Sequence, residues 1–101
     1  MHILLVSATG LEIQHAKEFL GKQGNTFNGN RFTVLITGVG MLSTTYYLTE
    51  RILLERPDLV IAAGIAGSFR DEIAPGGLVM IQEEILADTG VTENQQFLDA
   101  F

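Results

Sequence analysis

A proline, an unbroken apolar run and a turn of small residues follow one another at Pro57–Phe69, as Pro-Asp-Leu-Val-Ile-Ala-Ala-Gly-Ile-Ala-Gly-Ser-Phe. Leu59 to Ala63 has no polar position, so it predicts a strand covered on both faces, as in the middle of an α/β sheet. Gly64, Ile65, Ala66 and Gly67 then leave the strand's carboxyl end with little bulk, and a ligand there can reach backbone N–H groups. In open α/β sheets, ligands sit outside the carboxyl ends of the strands. This turn is therefore read as the floor of a binding site.

The rest of the chain repeats that grammar. Ile3 to Val6 reads as a buried strand ending in Ser7-Ala8-Thr9-Gly10. From Leu11 to Leu20 the period becomes helical: Ile13, Ala16 and Leu20 share a face, Gln14, Lys17 and Glu18 turn outward, and Gly21 and Gly24 are stops. Asn28-Gly29-Asn30 suits a hairpin before a strand at Phe32 to Thr37, which closes on Gly38-Val39-Gly40. A helix is predicted over Met41 to Glu55, with Leu42, Thr45, Tyr46, Thr49 and Leu53 on one face and Pro57 ending it. A further strand is expected at Leu78 to Ile81, continuing toward Ala87. From Asp88 to Phe101 the pattern dissolves, leaving aromatic residues with no element to hold them. Alternating strands and helices predict a sheet flanked by helices. The chain is expected to be cut short or to lean on a partner.

Composition narrows the function. At 101 residues, 47% apolar and 18% charged, the chain suits one small globular domain. A net charge of −6 with no lysine-arginine cluster argues against nucleic acid and membrane surfaces as partners. Without cysteine there is no disulfide or thiolate metal site, and no run reaches the roughly 18 apolar residues of a membrane span. With no secretory leader evident, a cytoplasmic location is expected.

Glu12 is the leading candidate for chemistry, and two readings stay open. Thr9-Gly10-Leu11-Glu12 fits a capping box, in which Thr9 and Glu12 satisfy each other's backbone N–H. The same carboxylate at the mouth of the first strand can instead activate water. His2 and His15, thirteen residues apart with no carboxylates grouped around them, read as surface residues. Tyr46 and Tyr47 lie on a helix whose apolar face serves a core or a subunit contact. Glu83, Glu84 and Asp88 read as solvated acids, so neither metal nor cofactor is expected. Gly64–Gly67 lacks the dinucleotide fingerprint, which argues against a Rossmann site.

Three ordered motifs, Ile3–Ile13, Thr37–Met41 and Pro57–Phe69, resemble the nucleoside phosphorylase and nucleosidase superfamily, and Gly76–Met80 and Ala87–Val91 continue the likeness. Within it the futalosine hydrolase group of the menaquinone pathway is the most similar, because of Ala87–Val91 and Phe97–Phe101. Nucleosidases of the methylthioadenosine type usually carry serine where this chain has Ile65. The resemblance implies a three-layer α/β/α fold with a central mixed sheet, of which residues 1–101 are the amino-terminal part of a single nucleosidase domain. It also implies a homo-oligomer or a complementing second half, and hydrolysis of an N-ribosidic bond that releases hypoxanthine from futalosine.

In that family the glutamate matching Glu12 activates the attacking water, which the residues at Ala8 and Thr9 border. Val39 falls where an apolar side chain packs on the ribose, and Ile65, Ala66 and Gly67 on the segment lining base and sugar. The family's general acid and ribose-gripping glutamate come from its second half, which this chain does not include. Phosphorolysis would need arginines to grip phosphate. Arg31, Arg51, Arg56 and Arg70 all lie away from the turn after the first strand, which favours water as nucleophile.

Overall fold

The computed structural model describes residues 1–100. The chain divides into two compact units, one from Met1 to Gly67 and a second beginning at Ser68. In the first, the strands β1 (His2–Ser7), β2 (Thr26–Phe27), β3 (Asn30–Ile36) and β4 (Leu59–Ala62) form one mixed sheet in the order β2-β3-β1-β4. Two helices, α1 (Gln14–Lys22) and α2 (Met41–Glu55), connect them.

β1 is central because every residue from Ile3 to Ser7 is buried and it has a parallel neighbour on each side. Val6 stands beside Leu35 of β3 and Ala62 of β4. Its alternate side chains point to opposite faces. Leu4 and Val6 pack with Leu35 against Leu48 of α2, whereas Leu5 packs with Ile13 and Leu20 on the α1 side. Helix, sheet and helix thus form the three layers. Leu4 is fully buried, a burial that contributes about 1.5–3 kcal/mol.

Local chemistry sets the ends of these elements. Asn28 and Gly29 both take positive φ, 48° and 74°, and turn antiparallel β2 into β3. Gly24, at φ 66°, follows the end of α1. α2 closes on Arg56 in the left-handed region, and Pro57 follows. The amino terminus is tied at the opposite end of β1. The Met1 ammonium donates to Asn30 Oδ1 at 2.9 Å, and the His2 N–H to Asp58 Oδ2 at 2.6 Å.

Five details differ from the sequence reading. β4 is an edge strand with exposed residues rather than an interior one, because among the described residues only β1 pairs with it. The face of α2 turned to the sheet carries Thr44, Leu48, Arg51 and Glu55, while Leu42, Tyr46 and Leu53 are exposed. Both faces have helical spacing, and the polar one hydrogen-bonds Thr33 of β3 and Thr37 just beyond it. Ala16 of α1 is exposed too. His2 is not a surface residue: its side chain is 10% exposed, with Nε2 2.8 Å from Thr33 Oγ1 and 3.5 Å from Glu55 Oε2. Glu55 also takes bonds from Thr33 and Arg51, giving the histidine the carboxylate its sequence neighbours lack.

The fifth difference lies in the second unit. Residues 78–87 form no strand, since apolar residues become a strand only against a partner. The segment after Asp88 is instead a hairpin of β5 (Gly90–Glu93) and β6 (Gln96–Asp99), with Val91 opposite Leu98 and Thr92 opposite Phe97. Asn94 and Gln95 make its two-residue turn at φ 49° and 63°.

Candidate functional site

Parallel pairing brings three loops to one end of the sheet. The ladders run on past the strands: the Thr37 N–H donates to Ser7 O at 2.9 Å, and the Ala63 N–H to Val6 O at 2.8 Å. The segments that begin at Ala8, Gly38 and Gly64 therefore leave side by side. Glu12 joins two of them.

The Glu12 carboxylate is held by four donors. Oε2 accepts from the Thr9 N–H at 3.1 Å, Thr9 Oγ1 at 3.2 Å and Ser7 Oγ at 3.3 Å, and Oε1 accepts from the Ile65 N–H at 3.4 Å. The Glu12 N–H in turn donates to Thr9 Oγ1 at 3.4 Å. Both reciprocal bonds of the capping box are thus formed, but they close the turn that precedes α1, whose own first residue is Gln14. The box and a site carboxylate are compatible, because Oε1 reaches across to the loop after β4. A Cβ built on Gly64 would lie 3.5 Å from Oε1, so glycine keeps that oxygen's flank open.

These contacts hold the Glu12 carboxyl below its ordinary value of 4.5. The Ile65 N–H is the largest cause; partial burial opposes it, and the Thr9 N–H, Thr9 hydroxyl and Ser7 hydroxyl add to the lowering. The group is ionised at neutral pH and can accept a proton.

A second hydroxyl cluster shapes the loop after β3. Thr37 is 2% exposed, and its Oγ1 donates to Gly38 O at 2.9 Å and lies 3.1 Å from Thr44 Oγ1. Ser43 Oγ donates to the Thr37 carbonyl. Gly38 takes φ 79° and Gly40 φ 104°, so the turn between them depends on glycine.

The predicted site residues divide accordingly. Thr9, Glu12 and Ile65 are joined by hydrogen bonds, and Ala8 is partly buried beside them in sequence. Val39, Ala66 and Gly67 are exposed and share none of the bonds to Glu12. Ser7 was not among the expected residues. Its signal was a lone hydroxyl at the end of an apolar strand, in a position that strand periodicity buries.

The arginines of this unit lie away from Glu12. Arg31 pairs with His2 at the start of β1, Arg51 bonds Glu55, and Arg56 caps α2, which puts the arginines of this unit at the other end of the sheet. A shallow depression lined by Gly10, Leu11, Gln14, Lys17 and Glu18 lies along α1, and Glu12 is not part of its lining. Among the described residues no three His, Cys, Asp or Glu side chains group to hold a metal ion, and no helix is long and apolar enough to cross a membrane.

The family model of the Phosphorylase superfamily matches residues 3–100. The chain belongs to the phosphorylase superfamily. It is 30% identical over 103 residues to a 5′-methylthioadenosine/S-adenosylhomocysteine nucleosidase of Shewanella halifaxensis (strain HAW-EB4). That alignment covers 91% of this chain and 45% of the relative, so the chain spans about half the relative's length. No solved structure shows a significant match. The superfamily and the mixed α/β fold expected from the motifs are thus established.

Proposed function

We propose that residues 1–101 are the amino-terminal part of a nucleosidase domain that hydrolyses the N-ribosidic bond of a purine-type nucleoside, with Glu12 activating the water. The observation that carries this reading is the acid at the shared strand end, held by four neutral donors and, among the described residues, with no arginine hydrogen-bonded to it. In the reaction the C1′–N bond breaks as positive charge builds on the sugar, an oxocarbenium-like state that a nearby carboxylate stabilises. Water oxygen bonds to C1′, its proton passes to Glu12, and the bond's electron pair leaves with the base. Protonation of that base is assigned to a group outside this chain.

Ala8 and Thr9 border the water in this scheme. Val39 packs on the ribose, and Ile65, Ala66 and Gly67 line the base and sugar. Futalosine is the preferred substrate, giving hypoxanthine and dehypoxanthine futalosine, because Ile65 and the tail motifs resemble that group. The 30% identity to a methylthioadenosine/S-adenosylhomocysteine nucleosidase favours that substrate pair as the second reading. A homo-oligomer or a complementing half completes the site, and the protein works in the cytoplasm.

The test, on this chain joined to its complementing half, is base release from futalosine, methylthioadenosine, S-adenosylhomocysteine and inosine, with and without phosphate, measured by chromatography. Phosphate-independent release from futalosine, abolished by Glu12→Gln without loss of folding, is the expected result. Release that requires phosphate would mean a phosphorylase. No release from any of the four would favour a ligand-binding or dimerisation module that keeps the fold without the reaction.

A further inference from the structure

We propose that Ser7 is a positioning residue, whose hydroxyl helps fasten Glu12 Oε2 so that Oε1 is the oxygen that takes the proton from water. This rests on the nucleosidase reading above. The two carboxylate oxygens are not equivalent. Oε2 faces three donors, two on Thr9 and one on Ser7, at 3.1–3.3 Å. A carboxylate oxygen has about two lone-pair sites, so Oε2 has none left for water. Oε1 has one longer contact, to the Ile65 N–H, and stands against Gly64, where no side chain blocks approach.

Thr9 alone cannot fix this orientation. It sits in the same short turn as Glu12, so its two donors move with the segment they hold. Ser7 belongs to the sheet: it is 3% exposed, its backbone pairs with Ile36 in register, and its carbonyl accepts the Thr37 N–H. Its hydroxyl therefore ties the carboxylate to the central, buried strand of the sheet. Fixing one oxygen on a strand and leaving the other free is how a base is held within the fraction of an ångström that proton transfer requires.

No charged side chain competes for this role among the described residues. Arg51 pairs with Glu55, His2 Nε2 lies 3.5 Å from the same carboxylate, and the donors that lower Glu12 are all neutral. The groups facing Glu12 are the Ser7 and Thr9 hydroxyls and the Thr9 and Ile65 amides.

The experiment is an NMR titration of this chain and its Ser7→Ala and Ser7→Thr variants, following the Glu12 side-chain carboxyl carbon and the Thr9 and Ile65 amide protons. In the unsubstituted chain both amides are expected to titrate with the Glu12 midpoint, because each donates to its carboxylate. In Ser7→Ala the carboxylate turns more freely, so those amide shifts shrink by about half and the midpoint rises. Ser7→Thr keeps a hydroxyl and restores both.

Amide titrations of unchanged size and midpoint in Ser7→Ala overturn the proposal, whatever the activity. If Ser7→Ala fails to fold, Ser7→Gly removes the same hydroxyl and takes its place. In the hydrolysis assay Ser7→Ala should lower kcat about tenfold with KM unchanged, the loss of roughly one hydrogen bond to a charged group. An unchanged kcat also overturns the proposal. Failure of the chain joined to its complementing half to release any base overturns the nucleosidase reading instead, and the amide titrations still decide whether Ser7 holds the acid.

Discussion

Gly38→Ala should cost this small domain a large share of its stability. Gly38 lies at φ 79°, where an alanine is strained by about 1–2 kcal/mol. A Cβ built there would also stand 2.9 Å from Ser43 Oγ, closer than real contacts allow. Ser43 can give way only by leaving the Thr37 carbonyl it donates to, at a cost of about 1 kcal/mol. The sum, about 2–3 kcal/mol, corresponds to a fall of about 1–2 M in the urea midpoint at the slope usual for small proteins. Urea unfolding followed by far-ultraviolet circular dichroism measures it. The two parts separate in a Ser43→Ala background, where no hydroxyl remains to be displaced and Gly38→Ala should cost about 1 kcal/mol less. A Gly38→Ala unfolding free energy within about 0.5 kcal/mol of the parent would refute the reasoning, because that is the scatter of neutral surface changes. An equal cost in both backgrounds would refute the Ser43 part.

Two further outcomes concern the acid. Gly64→Ala should fold normally, since its φ is unstrained and the new methyl makes ordinary contact. By filling the space beside Oε1 it should still cut base release on the order of tenfold or more, and a variant with full turnover would place the water elsewhere. Because the folded carboxyl of Glu12 lies below 4.5, its contribution to stability is present above that pH and fades as pH falls through the depressed value. The gap in urea midpoint between the parent and Glu12→Gln should therefore narrow below about pH 4.5; a gap independent of pH down to 3 would argue against a held carboxylate.

Much of the fold could be read from residue spacing. The runs at Ile3–Val6 and Leu59–Ala63 are apolar without interruption, Phe32–Thr37 is apolar but for its two threonines, and each is a strand to within a residue or two. The helix at Met41–Glu55 matches at both ends because Gly40 and Pro57 punctuate it. Its sheet-facing side was not legible. Thr44 and Glu55 look like solvent residues until Thr37, Thr33 and His2 are brought opposite them. Long-range partners were hidden for the same reason at β4, where an apolar run says "strand" and not how many neighbours it has. The hairpin after Asp88 escaped because Asn94-Gln95 lacks the glycine that normally marks a two-residue turn. At the site, Glu12 and Thr9 stand out in sequence, while their union with Ile65 spans 53 residues and exists only in the fold.

The fastening of Met1 and His2 to Asn30 and Asp58 gives the sheet two unlike poles. One is knitted shut by side chains, and the other opens into glycine loops around the acid. Between them runs β1, six residues or about 20 Å of rigid strand. A tag, dye or surface tether joined at Met1 would therefore sit far from where a nucleoside is expected to land, and could report on the chain without touching the chemistry.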